Sequence, residues 1–215
     1  MGHRPEFSSR LITDPQVRSV LHDLYEQERR LDWVTYRHHP DPHQHPGTGF
    51  SLSPEQGDQL YLLLRYAGAV NVVEFATSLG FSTLFLAAAL KENGGGTVHT
   101  AEIVPEKVRQ ARGNIARAGL SDYVTFFEGD ARDTLAAVPE DVDFALIDGW
   151  EPAVSLEVLQ VIEPKLRPGA LVYNENLDEE FLSYVRAPGS GYQSLPLLSG
   201  SEYKPRGELC LRTAC

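Results

Sequence analysis

From Val70 onward, short apolar segments alternate with amphipathic ones, and this alternation limits the fold more than any other feature. Strands are predicted at residues 70–75, 96–103, 123–129, 142–148 and 169–173, and near the segments YQSLPL and ELCLR. Helices are predicted at residues 82–90, 105–118, 131–137, 153–161 and 177–185. Strands joined by helices form parallel sheets with right-handed crossovers. We therefore predict a Rossmann-like α/β fold: a seven-stranded, mostly parallel sheet with an antiparallel last strand and helices on both faces.

Two further helices are predicted before the first strand. Asp14 and Pro15 form a helix start, and apolar residues follow at helical spacing. Ser53, Pro54 and Gln56 form a capping box that starts the second helix. The prolines and glycine of RHHPDPHQHPG, residues 37–47, exclude regular structure between the two. We divide the chain into residues 1–50, holding a tail, a small helical cap and a lid loop, and residues 51–215, the main domain.

The charge of the chain narrows the class of partner. Nineteen Lys and Arg against 30 Asp and Glu give a formal net charge of -11, which opposes both nucleic acid and an anionic membrane surface. The segment FLAAAL is too short to span a bilayer. The N-terminus lacks the apolar region of a secretory signal, and Cys210 and Cys215 make no disulfide framework. A cytoplasmic protein acting on a small molecule is expected.

Acidic residues stand at or just beyond the ends of the predicted strands. Glu74, Glu102 and Asp148 end strands one, two and four, Asp130 follows strand three, and Glu175 follows strand five. The carboxyl ends of parallel strands share one edge of the sheet, where ligands bind in such folds. Several carboxylates there repel one another unless they are compensated. The sequence therefore predicts a ligand or a cation at this edge.

The loop after the first strand, VVEFATSLGFST, contains a single glycine, Gly80. The dinucleotide motif GxGxxG and the phosphate-binding motif GxxxxGK[ST] are both missing, which argues against a pyrophosphate ligand and an NAD(P)-dependent oxidoreductase. A ligand with a cationic centre, an amine and ribose hydroxyls suits the acids better. Glu102 follows Gly80 by about 20 residues, the interval expected of a ribose-binding carboxylate.

Six motifs in order give the chain a resemblance to a known family. The helix start at Ser53, VVEFATSLGFST, TAEI, FFEGDA, FALIDGW and GALVYNENL resemble the class I S-adenosylmethionine-dependent methyltransferases, closest to the small catechol and caffeoyl-CoA O-methyltransferases. The family's first loop has a glycine where this chain has Ala76, whereas Glu74, Thr77, Gly80 and Ser82 match. The resemblance implies S-adenosylmethionine as cofactor, methyl transfer to an oxygen of a small acceptor, for which aromatic compounds are candidates, and a homodimer as a common assembly.

The resemblance also implies a set of cofactor-binding residues. Glu74, Ser78 and Gly80 would lie along the methionine part, Glu102 would accept from the ribose hydroxyls, and Asp130 would accept from the adenine amino group. Trp150 would either stack on the adenine or only pack. The implied set is Phe50, Ser51, Glu74, Ala76, Thr77, Ser78, Gly80, Ser82, Glu102, Ile103, Asp130, Ala131, Asp148 and Trp150.

The same resemblance implies a metal site. Asp148, Glu175 and Asn176 match its three ligands, with Glu175 replacing an aspartate, and would hold Mg²⁺ or another divalent cation. The family's catalytic lysine is Glu151 here, so the catechol mechanism does not carry over intact. Asp148 and the lid histidine His43 are the catalytic candidates, with His38, His39 and His45 in the same loop. Tyr173 and Tyr203 are candidates for the acceptor pocket.

Ala76 and Glu151 leave an alternative function open. At a negative φ an alanine costs little at position 76, whereas at a positive φ it costs on the order of 1 kcal/mol. A protein that binds the cofactor but has lost turnover, and that regulates or accompanies another protein, would tolerate both departures.

Overall fold

The computed structural model describes residues 6–31, 41–198 and 206–213. The strands in these residues form one seven-stranded sheet. The strand order is β3-β2-β1-β4-β5-β7-β6. Strands β1 to β5 pair in parallel, and β7 runs antiparallel to both β5 and β6. The predicted α/β fold with an antiparallel last strand is confirmed. The strands are β1 Asn71–Phe75, β2 Thr97–Glu102, β3 Val124–Glu128, β4 Val142–Ile147, β5 Leu166–Asn174, β6 Tyr192–Leu198 and β7 Arg206–Arg212.

Seven α-helices lie in the described residues, and most begin where the sequence predicts. Asp14 accepts from the backbone N–H groups of Gln16 and Val17, and the capping box of Ser53 and Gln56 forms as expected. No helix of the described residues has the length and apolar composition that a bilayer span requires. The helices are α1 Pro15–Arg29, α2 Pro54–Ala67, α3 Phe81–Asn93, α4 Pro105–Arg117, α5 Ala131–Thr134, α6 Ser155–Ile162 and α7 Glu179–Arg186.

Helices cover both faces of the sheet and form two apolar cores. One core joins α1, α2 and α3 to the sheet through residues such as Val17, Leu60 and Leu84. The other joins α5, α6 and α7 to the opposite face through residues such as Ala131, Leu159 and Phe181. The N-terminal helix therefore packs into the main core. The division of the chain at residue 50 stays a prediction.

The fifth strand differs most from its predicted bounds. It begins at Leu166, three residues before the predicted start. Val142 pairs with Leu166, but Phe144 pairs with Leu171, so β5 has extra residues opposite β4. Pro168 falls in this irregular stretch, where a missing backbone donor is tolerated. The sequence signal of Pro168-Gly169 marks a bulge inside the strand rather than its beginning.

Gly57 allows α2 and α3 to pack closely. A Cβ atom at this position would overlap the ring of Phe85, whereas a Cβ atom at Gly113 in α4 would meet no atom within 4 Å. Gly57→Ala is expected to lower the free energy of unfolding by about 1–3 kcal/mol through overpacking. Gly113→Ala, the matched control, is expected to raise it by up to about 1 kcal/mol. Urea denaturation of the two variants measures both effects, and equal shifts would contradict the packing argument.

Candidate functional site

A cavity of about 470 Å³ opens at the carboxyl edge of β1, β2 and β4. Most of the predicted cofactor residues line it: Phe50, Ser51, Ala76, Thr77, Ser78, Ser82, Glu102, Ile103, Asp130, Ala131, Asp148 and Trp150. Glu74 and Gly80 do not line it. The sequence did not point to Gln56, Lys107 or Arg132, which also border the cavity.

The loop after β1 has a left-handed backbone at three positions. The φ angles are 75° at Ala76, 50° at Ser78 and 89° at Gly80. The backbone N–H groups of Ala76 and Thr77 both donate to the carbonyl of Ala101, at 3.0 and 3.1 Å, which ties the loop to β2. The positive φ at Ala76 means that the alanine costs on the order of 1 kcal/mol there.

The single glycine of this loop faces α4 rather than the cavity. A Cβ atom at Gly80 would lie 3.5 Å from the Cβ atom of Ala111, in ordinary contact. The backbone angle, not close approach to a ligand, is therefore the reason for glycine at this position. The structure does not bring Gly80 into the lining of the cavity, where the resemblance placed it.

Glu74 is fully buried behind the loop and acts as an anchor. Ser82 Oγ donates to its Oε1 at 2.6 Å, and the hydroxyls of Thr83 and Thr100 donate to its Oε2 at 2.6 Å. Burial raises the pKa of Glu74 to about 7, although the three hydroxyl donors oppose this shift. The structure does not bring Glu74 to the cavity, and the hydroxyl of Ser82 serves this carboxylate.

Glu102 ends β2 with its carboxylate held in place at the cavity. Its Oε2 accepts from the backbone N–H of Ser78 at 2.8 Å, and its Oε1 accepts from that of Val104 at 2.9 Å. The residue is 6% exposed, and each carboxylate oxygen can accept more than one hydrogen bond. Glu102 therefore faces the cavity in a fixed position with acceptor capacity to spare.

Lys107 supplies positive charge beside Glu102. Burial lowers the pKa of this lysine, and the charges of Glu102 and Glu28 oppose that shift. Its Nζ lies 5.3 Å from the ring centroid of Phe50. A lysine in the first turn of a helix opposes the helix dipole, and this was the signal in the sequence that could have identified Lys107.

Glu28, in the last turn of α1, holds the segment that roofs the cavity. It accepts from the backbone N–H of Ser51 at 3.1 Å and from the Ser51 hydroxyl. A Cβ atom at Gly49 would overlap its carboxylate, so the segment passes close to the helix. Phe50 then packs on Trp150, with ring centroids 4.3 Å apart. The roof of the cavity is thus fixed to α1.

In the lid loop, His45 rather than the predicted His43 is buried near a residue of the cavity lining. A 3₁₀ turn at Pro42–Gln44 leaves His43 exposed and outside the cavity lining, so the structure does not bring it to the site as a base. His45 is buried, and its ring centroid lies 6.1 Å from that of Trp150. The other candidates, His38, His39 and Tyr203, lie outside the described residues.

Asp130 meets the cavity with its carboxylate already shared. It caps α5 by accepting from the backbone N–H of Arg132 at 2.9 Å, and it forms a 2.6 Å ion pair with the same arginine. Arg132 also contacts Glu157 at 2.8 Å. The guanidinium of Arg132 lowers the pKa of Asp130. Any adenine amino group at Asp130 would share this carboxylate with Arg132.

Only two of the three predicted metal ligands border the cavity. Asp148 and Asn176 line the cavity, but Glu175 does not. Glu175 accepts from Gln56 Nε2 and from the hydroxyl of Tyr173. Burial, followed by the charge of Glu175, raises the pKa of Tyr173, so this tyrosine stays a donor behind the cavity wall. The described residues contain no group of three or more His, Cys, Asp or Glu side chains arranged for a metal ion. Because Glu175 is buried outside the cavity lining and both its oxygens accept from protein donors, the three residues do not fit the implied cation.

Replacement of Ala76 tests the backbone strain. Ala76→Gly is expected to raise the free energy of unfolding by about 0.5–1 kcal/mol, because glycine adopts a positive φ without a steric cost. Ala116→Gly, at an exposed position of α4, is expected to lower it by about 1 kcal/mol. Chemical denaturation checks the pair, and a loss of stability in both variants would show that Ala76 is unstrained.

Replacement of Glu74 tests its raised pKa. The pKa is about 7 in the folded chain against 4.5 for an ordinary glutamate, so the unfolded state ionises first as the pH rises. Increasing pH therefore destabilises the wild type relative to Glu74→Gln, by on the order of 3 kcal/mol between pH 4.5 and 7. Free energies of unfolding of the wild type and of Glu74→Gln, measured across pH 5–8, give this difference. Glu180→Gln, on the exposed side of α7, should track the wild type, and a pH-independent difference at Glu74 would refute the shift.

Comparisons with known proteins agree with the geometry. The family described as "Methyltransferase domain" matches residues 73–176. A catechol O-methyltransferase of Niastella koreensis is 36% identical over 131 residues, covering 59% of this chain and 58% of that protein. Caffeoyl-CoA O-methyltransferase 2 of Zea mays is 30% identical over 139 residues, covering 62% and 52%. The matches thus span only a little over half the length of these curated relatives.

A solved structure matches almost the whole chain. An O-methyltransferase from Bacillus cereus, in complex with SAH, aligns with a TM-score of 0.72 and 23% identity, covering 95% of this chain and 93% of that one. This likeness shows the fold. Residues 73–176, a little under half of the chain, are therefore similar to the methyltransferase-domain family, and the predicted resemblance to the catechol and caffeoyl-CoA O-methyltransferases is confirmed.

Proposed function

We propose that this protein transfers a methyl group from S-adenosylmethionine to an oxygen of a small acceptor. The observation that carries the proposal is the carboxylate of Glu102, which two backbone N–H groups fix at the end of β2 with acceptor capacity facing the cavity. A carboxylate at this place suits a pair of ribose hydroxyls. The relatives named for catechol and caffeoyl-CoA support a small acceptor.

The cavity has a place for each part of the cofactor. The ribose would bind Glu102, and the adenine would lie toward Asp130 and Ala131, with Ile103 at its outer side. The methionine part would lie along Ala76, Thr77 and Ser78. Phe50 and Ser51 would close the site from above, because Glu28 holds this segment. The lining of the cavity and the family resemblance together support these roles.

The acceptor would enter at the end of the cavity bordered by Asp148, Trp150 and Asn176. The acceptor oxygen attacks the methyl carbon in line with the carbon–sulfur bond, and that bond breaks to release S-adenosylhomocysteine. The sulfonium is an activated donor, so the main task of the protein is to align oxygen, methyl and sulfur. Asp148 would take the proton that leaves the acceptor oxygen. This reaction needs no divalent cation at Asp148, Glu175 and Asn176, since Glu175 is committed to Gln56 and Tyr173.

Calorimetry with S-adenosylhomocysteine tests the cofactor assignment. The wild type is expected to bind it, and Glu102→Gln is expected to weaken binding by about 10- to 100-fold through loss of a charge-assisted hydrogen bond. Glutamine keeps the shape of the side chain and one acceptor, so the loop is disturbed less than it would be by alanine.

Glu106→Gln is the matched control for this experiment. Glu106 lies four residues further on, pairs with Arg109 at the surface and does not line the cavity. Its replacement should leave the affinity unchanged. Absence of heat at millimolar S-adenosylhomocysteine would sink the proposal, and equal affinity in Glu102→Gln would remove Glu102 from the ribose site.

A further inference from the structure

We infer that Glu175 is a structural carboxylate that joins α2 to β5, and that this strand edge works without a divalent cation held by Asp148, Glu175 and Asn176. The inference rests on the proposed function for its reaction, but the state of Glu175 is visible in the fold itself. Glu175 is 2% exposed and is absent from the lining of the cavity. A ligand at this position would have to be reached through the cavity wall.

Both oxygens of Glu175 are already bonded to protein donors. Gln56 Nε2, on α2, donates to Oε1, and the hydroxyl of Tyr173, on β5, donates to Oε2. A buried carboxylate requires such partners, because an uncompensated charge away from water is costly. Here the chain itself supplies the compensation that the family's metal would supply.

The capping box of α2 determines which atom Gln56 turns toward Glu175. Gln56 Oε1 accepts from the backbone N–H of Ser53 at 2.7 Å, while the backbone N–H of Gln56 donates to Ser53 Oγ at 3.2 Å. Because the amide oxygen is used at the helix start, its Nε2 must face Glu175. Gln56 cannot turn an oxygen toward a cation at Glu175 without breaking the cap, which is worth about 1 kcal/mol.

Asn176 is also partly committed. Its Nδ2 donates to the carbonyl of Gly149 and lies 3.4 Å from that of Trp150, which links the ends of β5 and β4. Asp148 and Asn176 then remain as the two members of the implied set that border the cavity, and only Asp148 is a carboxylate. Mg²⁺ demands near-octahedral oxygen coordination and is usually bound through one or two carboxylates, and Asp148 is the single carboxylate of the implied set that borders the cavity. We therefore assign proton removal to Asp148 directly, without a metal to lower the pKa of the acceptor.

Binding of Mn²⁺ to the full chain provides a test that needs no acceptor. Electron paramagnetic resonance reports free Mn²⁺, and the wild type is titrated with and without S-adenosylhomocysteine. The expected result is no site up to about 1 mM, the weak end of the range for protein-bound hard cations, or residual binding that Asp148→Asn and Glu175→Gln leave unchanged. One saturable Mn²⁺ per chain that either variant abolishes would overturn the inference.

The two proposals can fail separately. If S-adenosylhomocysteine does not bind by calorimetry, the proposed function fails, while the Mn²⁺ titration of the chain alone still decides the state of Glu175. If S-adenosylhomocysteine binds and a Mn²⁺ site is lost in Asp148→Asn, the inference fails and the proposed function stands. The wild-type titration is informative even if a variant does not fold.

The structural role of Glu175 predicts coupling to its donors. Glu175→Gln and Tyr173→Phe are each expected to lower Tm, by at least about 3 °C, and the double variant should lose less than the sum because both remove the same hydrogen bond. Glu179→Gln, exposed at the start of α7, should leave Tm unchanged. Additive losses, or a Tm of the wild type that rises with Mg²⁺ but not in Glu175→Gln, would contradict the structural role.

Discussion

The burial of carboxylates at one edge of a parallel sheet is the constraint on which the rest of this structure depends. Parallel strands bring their acidic ends together, and helices on both faces remove most of the water that would solvate them. The chain meets this cost with its own donors. Three hydroxyls bond to Glu74, backbone N–H groups to Glu102, Ser51 to Glu28, and Gln56 and Tyr173 to Glu175. Each acid therefore fastens one element to another: the first loop and α3 to β2, the roof to α1, and α2 to β5.

This arrangement changes how the acidic edge relates to chemistry. Several carboxylates at one edge would by themselves require a ligand or a cation. In this protein, hydrogen-bond donors of the chain compensate most of them. Among these acids, Glu102 and Asp148 border the cavity, whereas Glu74 and Glu175 do not. The positive charge of Lys107 also interacts favourably with the carboxylates of Glu102 and Glu28. The fold thus buries some of the acids behind the cavity and leaves others at its lining.

Local patterns predicted much of the fold and part of the site. Hydrophobic alternation located the strands, and short-range caps such as Ser53 with Gln56 located helix starts, because both depend on neighbours within a few residues. Motif resemblance found most of the cavity lining. It did not separate Ser82, whose hydroxyl serves Glu74, from Ser78, whose backbone serves Glu102. It also missed Glu28, which lies on a helix distant from the motifs along the chain, and Lys107, which lies four residues after the segment TAEI.

The sequence by itself determined the order of strands and helices along the chain, the acidic residues at the strand ends and the resemblance to the O-methyltransferases. These follow from periodicity and from motifs read along the chain. Only the tertiary structure decided the backbone angle at Ala76, the direction of Gly80 and the partners of Glu175. A φ angle depends on where the loop is bonded, here to the carbonyl of Ala101. The fate of a carboxylate depends on donors that arrive from far along the chain, as Gln56 does across 119 positions. Spacing along the sequence carries no information about such meetings.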